Sequence, residues 1–355
     1  MRMMKALYYK AAGRENASIT EIPYPSLGDD DVIIKVMACG ICKWAELNHD
    51  TVGGGGTLAK YPVVVGHEFA GYVEEIGKNV NNVKVGDRVT VDNAIPCGKC
   101  YACQHNDTLH CESFGSMGHN INGGFAQYTC APEAKVFKIP DNVSFDEATV
   151  TEPVACAVHG MDVLDVKQGE NILVSGMGPH GLILAQLAHF SNAQKIAAIG
   201  LVDSRLQILR DQGVPTILAD RNDMSVQEAA IEKMFPNGVD AIIDTSGSWQ
   251  TVKSMWKFLK KGGRFLQYGS YHQKMDMGIT SDMLNSLHFK EQTYTSCSAQ
   301  TFCFPIALDY MGSGKVKVDK IVTHTFSLDD YFLALDTNKN DKSTLKVVIH
   351  PNEDI

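Results

Sequence analysis

Asn171-Ile172-Leu173-Val174-Ser175-Gly176-Met177-Gly178-Pro179-His180-Gly181 is the stretch that decides the fold. Its first five residues have an apolar centre and read as a buried strand. The glycines follow at once, and Leu182-Ile183-Leu184-Ala185-Gln186-Leu187-Ala188 continues as a helix. A G-x-G-x-x-G pattern alone carries little, but strand, then glycines, then helix is the context in which it binds a dinucleotide. Gly176 permits the tight turn, Gly178 lets the backbone approach a pyrophosphate, and Gly181 lets helix and strand pack closely. The helix N-terminus then holds the diphosphate through free N–H groups and its dipole. Pro179 and His180 complete the candidate coenzyme-binding set at this turn.

Downstream, the same alternation repeats. Lys195 to Ile199 reads as a strand, followed by a helix through Arg205 to Arg210. Val239 to Asp244 is a strand, 249–260 a helix, and Gly263 to Gly269 a strand. Repeated β–α units predict an α/β Rossmann domain with a doubly wound parallel sheet, placed at 159–296. The acidic residue expected ~20 positions beyond the glycines, which would bond the adenosine ribose, falls on Gly200. Leu201 and Val202 follow, with Asp203 and Arg205 farther on. Gly200, Asp203 and Arg205 are therefore candidate coenzyme contacts, and both NAD and NADP stay open.

Upstream the texture differs. Residues 4–40 come in short runs such as Val32-Ile33-Ile34-Lys35-Val36, broken by Pro23, Pro25 and Gly28. That is β-rich and punctuated by turns, and no helical period dominates before residue 97. Gly53-Gly54-Gly55-Gly56 reads as a flexible loop. Within this half, Gly66-His67-Glu68 follows the apolar run Val63-Val64-Val65, which delivers an imidazole and a carboxylate to an interior. Cys42 offers a thiolate upstream and Glu152 a second carboxylate downstream. Sulfur, imidazole and carboxylate together suit Zn²⁺ with a position left open for substrate or water.

Ten cysteines in 355 residues need a reason. Four cluster as C-x2-C-x2-C-x7-C: Cys97, Cys100, Cys103 and Cys111. Four thiolates at that spacing close a tetrahedral, structural zinc site with no free position. Such a set also holds iron–sulfur clusters, but the compact loop and the lack of any other cluster spacing favour zinc. The expected cofactors are two Zn²⁺ per chain and NAD or NADP. Hydrophobic residues make up 44% and charged residues 21%, with a net charge of −9, and there is no basic tract. Nucleic acid and anionic membrane are poor partners for such a surface. No apolar run reaches the ~20 residues of a membrane span, and the N-terminus lacks a signal h-region, so the cytosol is the expected compartment.

Taken together, these residues resemble the zinc-dependent medium-chain dehydrogenases over essentially the full length. The matching pieces are Cys39-Gly40-Ile41-Cys42, Gly66-His67-Glu68, Val85-Gly86-Asp87-Arg88-Val89, the four-cysteine lobe, Gly123-Gly124-Phe125-Ala126, Glu152-Pro153 and the glycine fingerprint. Glu152-Pro153 with His159 looks most like the polyol dehydrogenase branch; threonine dehydrogenases carry a similar signature. The resemblance implies a GroES-like catalytic domain from residues 1–158 and 297–355, with the nucleotide domain inserted and the active site in the cleft. It implies Cys42, His67 and a glutamate, Glu68 or Glu152, as ligands of the catalytic zinc. Cys156 stands near the second cysteine ligand of simple alcohol dehydrogenases and ranks below both glutamates.

The implied chemistry is oxidation of a secondary alcohol of a polyol, or of its phosphate, with zinc as Lewis acid and hydride passing to the nicotinamide. Threonine oxidation and simple alcohol or aldehyde chemistry are the alternatives. From a different class, a nucleotide-binding relative without catalysis is disfavoured because the metal ligands are kept. Partners are a small-molecule alcohol and further copies of the chain in a dimer or tetramer. One departure stands out. After Cys42 the family has Gly, then Ser or Thr, then Asp; here Lys43, Trp44 and Ala45 follow. Tryptophan cannot relay the substrate proton, so Glu152 or a water chain past His49 has to substitute.

Overall fold

The computed structural model describes residues 2–51, 58–270 and 281–352; the glycine run at 53–56 lies outside the described residues. Two compact units emerge. The first comprises Met1–Ala155, Gln300–Gly314 and Val318–Ile355, and the second Cys156–Ala299 with Lys315–Lys317. The divisions thus fall three residues from 158/159 and 296/297, the first of them inside the helix Thr151–Leu164. Lys315–Lys317 go with the second unit, where the buried Gln186 side chain bonds both the N–H and the C=O of Lys317.

The first unit is built on the strand Asp31–Gly40, whose side chains are almost all buried. One edge pairs along its length with Glu68–Ile76. The other edge is shared: Tyr128–Pro132 takes the first half, and Lys346–His350 takes Cys39 and Gly40. Strand order across the main path is Val136–Lys138, Arg88–Val91, Glu68–Ile76, Asp31–Gly40, Lys346–His350, Val322–Ser327. Only the last pair is parallel; the others are antiparallel. Phe69, Phe125, Tyr331, Val347 and Ile349 fill the core beneath. Each such side chain, once buried, contributes about 1.5–3 kcal/mol.

Two local features position function. The helix Lys43–His49 starts immediately after Cys42 and buries Ala45, Glu46 and His49. Sequence periodicity missed it because two turns are too short to show a period and too short to stand without tertiary packing. Ala94–Ile95 pairs with Gly115–Ser116, which closes the base of the cysteine loop.

In the second unit all six strands are parallel, in the order Thr216–Leu218, Lys195–Gly200, Asn171–Ser175, Val239–Asp244, Leu259–Gln267, Thr293–Ser296. Numbered along the chain, that is 3-2-1-4-5-6, the Rossmann order. The fourth helix–strand unit differs from the expectation. The helix spans Trp249–Trp256, not 249–260, and the next strand begins at Leu259. Leu259 pairs with Val239 before the register slips to Arg264 opposite Ala241, so Lys260 to Gly263 form an irregular stretch inside the strand. Two glycines and two lysines there hide the strand from a pattern search.

At the first turn the packing is tight. A Cβ on Gly181 would lie 1.7 Å from the Gly176 carbonyl oxygen, which already accepts from Thr245 Oγ1 at 2.6 Å. Gly181→Ala is therefore expected to cost about 3 kcal/mol or more, since backbone cannot yield as a side chain can. Thermal melting of the variant checks this; an unchanged melting temperature would contradict the helix–strand contact.

Candidate active site

Cys42, His67 and Glu68 come together in the first unit, with one donor atom from each within 4.8 Å of the others. Strand register does this. Gly40 sits opposite Glu68, so the turn that carries Cys42 out of one strand lies beside the start of the next. Gly66 enters that strand with φ +94, and a Cβ there would strike the Phe125 ring and Cys39 Sγ. Gly40 leaves the lane that the carboxylate occupies: a Cβ on it would fall 2.5 Å from Glu68 Oε2.

Charge is concentrated at this point. Lys346 Nζ, from the last strand, donates to Glu68 Oε2 at 2.6 Å and to the Ile41 carbonyl at 3.4 Å, with both side chains buried. Among the described residues Glu68 Oε1 has no hydrogen bond, and it faces His67 Nε2 at 4.0 Å. Burial, and after it the Glu68 charge, pushes the Cys42 thiol up to about 12; a cation bound to the sulfur reverses that preference. A thiol, an imidazole and a carboxylate with an unmatched oxygen fit Zn²⁺.

Two more imidazoles back the site. His67 and His119 have ring centroids 4.8 Å apart, and His119 and His49 5.6 Å. Burial lowers His49 to about 4 and His119 to about 3, so both are neutral at physiological pH. His49 Nδ1 bonds the Tyr61 hydroxyl at 2.7 Å. Glu152 is half-buried near the start of the helix Thr151–Leu164 and lies outside the three-donor group, although its charge raises Cys42 and Lys346. Cys156 is buried further along the same helix, in the second unit. Trp44 is 47% exposed, which removes simple core packing as its role.

The sulfurs of Cys97, Cys100, Cys103 and Cys111 also lie within 4.8 Å of one another, and none is in a disulfide. Backbone N–H groups point at them: Cys97 N donates to Cys111 Sγ at 3.2 Å, and donors from Cys103 and Glu112 bring Cys100 down to about 6. Cys97 is lowered in the same way, whereas burial raises Cys103 to about 12. Four sulfurs gathered this closely suit a structural zinc site, and a bound cation favours the thiolate form of each.

In the second unit Gly178 N-caps the helix Pro179–His189 without a side-chain cap. Among the described residues a Cβ on Gly178 meets nothing within 4 Å, whereas Gly176 and Gly181 are pressed against backbone. Open space at the helix N-terminus beside Gly178 fits a pyrophosphate. The His180 ring lies 5.2 Å from that of Tyr268. Gly200 ends the second strand, where a Cβ would crowd Met177 Cγ at 2.7 Å. Arg205 Nη1 donates to the Met177 carbonyl at 3.2 Å, and Asp203 is ion-paired with Arg210.

Three residues escaped the sequence reading. Lys346 had a signal, a lone charge within Leu345-Lys346-Val347-Val348-Ile349. Glu46 had a weaker one, four residues after Cys42 and so one helical turn away. His119 had none that separates it from an ordinary loop histidine.

The family described as "Alcohol dehydrogenase GroES-like domain" matches residues 28–141, and that described as "Zinc-binding dehydrogenase" matches residues 179–310. D-arabinitol dehydrogenase 1 of Uromyces fabae is 35% identical over 351 residues, covering 98% of this chain and 97% of its own. An L-threonine 3-dehydrogenase of Escherichia fergusonii is 31% identical, covering 96% and 98%. A crystal structure from Sinorhizobium meliloti 1021, described as a zinc-binding dehydrogenase bound to NADP, superposes with a TM-score of 0.86 at 28% identity, covering 99% and 100%.

Lys346→Met leaves Glu68 buried without its cation, so the metal-free protein should lose about 3–5 kcal/mol. Adding Glu68→Gln should recover most of that. Urea unfolding of the single and double variants measures both; equal losses in the two would contradict the pairing.

Proposed function

The chain belongs to the zinc-dependent medium-chain dehydrogenase family, and from that premise we propose that it oxidises a secondary alcohol of a polyol, free or phosphorylated, to the ketose. The observation that carries the reading is the grouping of Cys42, His67 and Glu68, one donor of each kind, around one point. When bound, zinc supplies Lewis acidity and the nicotinamide coenzyme supplies the hydride acceptor. Cys42, His67 and Glu68 would hold that zinc, Cys97, Cys100, Cys103 and Cys111 the structural one, and Gly176, Gly178 and Gly181 the coenzyme pyrophosphate.

The chain's own residues set the rest. A Cys42 thiolate and the Glu68 carboxylate against the Lys346 ammonium leave the donor set one negative charge in excess, so a bound dication stays electrophilic. Trp44 offers no hydroxyl to pass the substrate proton outward. Glu152, whose charge acts on Cys42 and Lys346, is the acid–base group in this reading. Gly200 stands at the strand end and Asp203 is held by Arg210, so among the described residues at this strand end no free carboxylate faces a 2′-phosphate, which supports use of either NAD or NADP.

The polyol assignment is supported by the arabinitol dehydrogenase relative. Threonine is the second reading, supported by the threonine dehydrogenase relative at a similar identity. An oxidation screen over C4–C6 polyols, their phosphates and threonine with both coenzymes tests the choice. The expected result is turnover of a polyol to its ketose; threonine as the best substrate would overturn it. In the same screen Gly178→Val should fold normally and lose coenzyme binding, because its side chain enters the space the pyrophosphate needs.

A further inference from the structure

Glu46 is fully buried in the first turn of the helix Lys43–His49, and among the described residues neither of its oxygens has a hydrogen bond. A carboxylate in that position is costly unless something pairs it. What it faces is a metal-ligand histidine. Glu46 Oε1 lies 3.8 Å from His67 Nδ1, which is itself buried and, among the described residues, without a hydrogen bond. The opposite nitrogen, Nε2, faces Glu68 Oε1. The two ring nitrogens of one imidazole are thus each addressed by a carboxylate, and only one of those belongs to the donor group.

Several neighbouring polar groups are already engaged, although among the described residues the buried Tyr331 hydroxyl and His49 Nε2 are not. Lys346 is committed to Glu68 and the Ile41 carbonyl, His49 Nδ1 to Tyr61, and His119 Nδ1 to Ser116 Oγ. Helix geometry fixes Glu46 relative to the ligand cysteine, since the Glu46 N–H donates to the Cys42 carbonyl at 3.0 Å. One short helix therefore carries both a ligand at its N-cap and a carboxylate one turn later, turned towards a second ligand.

We propose that Glu46 is the positioning residue of this metal centre: its carboxylate accepts the His67 Nδ1–H and thereby presents Nε2, unprotonated and oriented, towards Cys42 and Glu68. The inference rests on the metal reading of those three residues. Closing the 3.8 Å separation to a charged hydrogen bond takes a shift of roughly 1 Å. A carboxylate behind a ligand imidazole fixes its tautomer, holds its plane and strengthens it as a donor. Ala45, beside Glu46, has no carboxylate with which to do this.

The test uses the full-length protein with the four-cysteine zinc in place, and three variants: Glu46→Leu, Glu46→Gln and Glu46→Asp. Zinc affinity of the second site is measured by chelator competition, the visible spectrum after cobalt exchange at that site, and the melting temperature with that site metal-free. Glu46→Leu should weaken zinc about 10–100-fold and shift the cobalt bands. Glu46→Gln, which accepts through an uncharged oxygen, should fall between Leu and the parent, and Glu46→Asp should recover part of the loss. The metal-free melting temperature of the Leu variant should hold or rise, because a buried acid has been removed. Parental affinity and an unshifted cobalt spectrum in the Leu and Gln variants would overturn the proposal. So would an affinity loss matched by an equal fall in metal-free stability, which is what a packing role produces. A parent protein that binds a single zinc would instead remove the metal reading itself, and this inference with it.

Discussion

A carboxylate and an ammonium meet at 2.6 Å inside the first unit, both stripped of water, and the arrangement of that unit depends on the contact between Glu68 and Lys346. Burying two such charges costs several kcal/mol each before their attraction is counted. The pairing is tolerable only because strand register places them with little freedom to miss. Gly40 lies between the two strands that carry them, pairing with Glu68 on one side and Val348 on the other. The C-terminal strand is thereby tied to the motif at 66–68 across 278 residues of sequence. One oxygen of Glu68 is taken by the lysine, and the other is directed at His67. The ion pair in this way both locks the sheet and limits how much negative charge the site offers to a cation.

The two units present their candidate sites by different means. In the second, the candidate coenzyme turn is marked by what is missing: no side chain at Gly178, no carboxylate at Gly200, no side-chain cap at the helix N-terminus. In the first, the candidate metal site is marked by a gathering of donors held in place by register. The four-cysteine loop follows the pattern of the first unit on a smaller scale, with backbone N–H groups aimed at sulfur and a two-stranded clamp at its base.

What could be read from the sequence follows the range of the interactions involved. The strand, glycines and helix at 171–188 lie within one local stretch, so their pattern suffices to announce a nucleotide domain. The cysteine loop is local too. Cys42, His67 and Glu68 could be nominated from donor chemistry and from the family resemblance, although it takes the pairing of Gly40 with Glu68 to bring them together. Lys346 and Glu46 left a trace in the sequence, but their roles lay beyond reach for different reasons. The role of Lys346 depends on where a distant strand enters the sheet. Glu46 has the pattern of a solvated helix acid until tertiary packing buries it. The helix Lys43–His49 was invisible for want of length, and the early start of the strand at Leu259 was hidden by Lys260 to Gly263. Trp44, readable only as a departure from the family, turns out to be half-exposed and so available to a ligand rather than committed to the core.

One thiolate, one imidazole and a carboxylate are proposed to hold the open metal site, with the lysine on the far side of the carboxylate. X-ray absorption at the metal edge, with cobalt exchanged into that site alone, reads the donor set without reference to activity. The expected shell holds one sulfur neighbour, with nitrogen and oxygen for the rest. A second sulfur in the shell would contradict it, because a thiolate such as Cys156 would then have taken the place assigned here to glutamate.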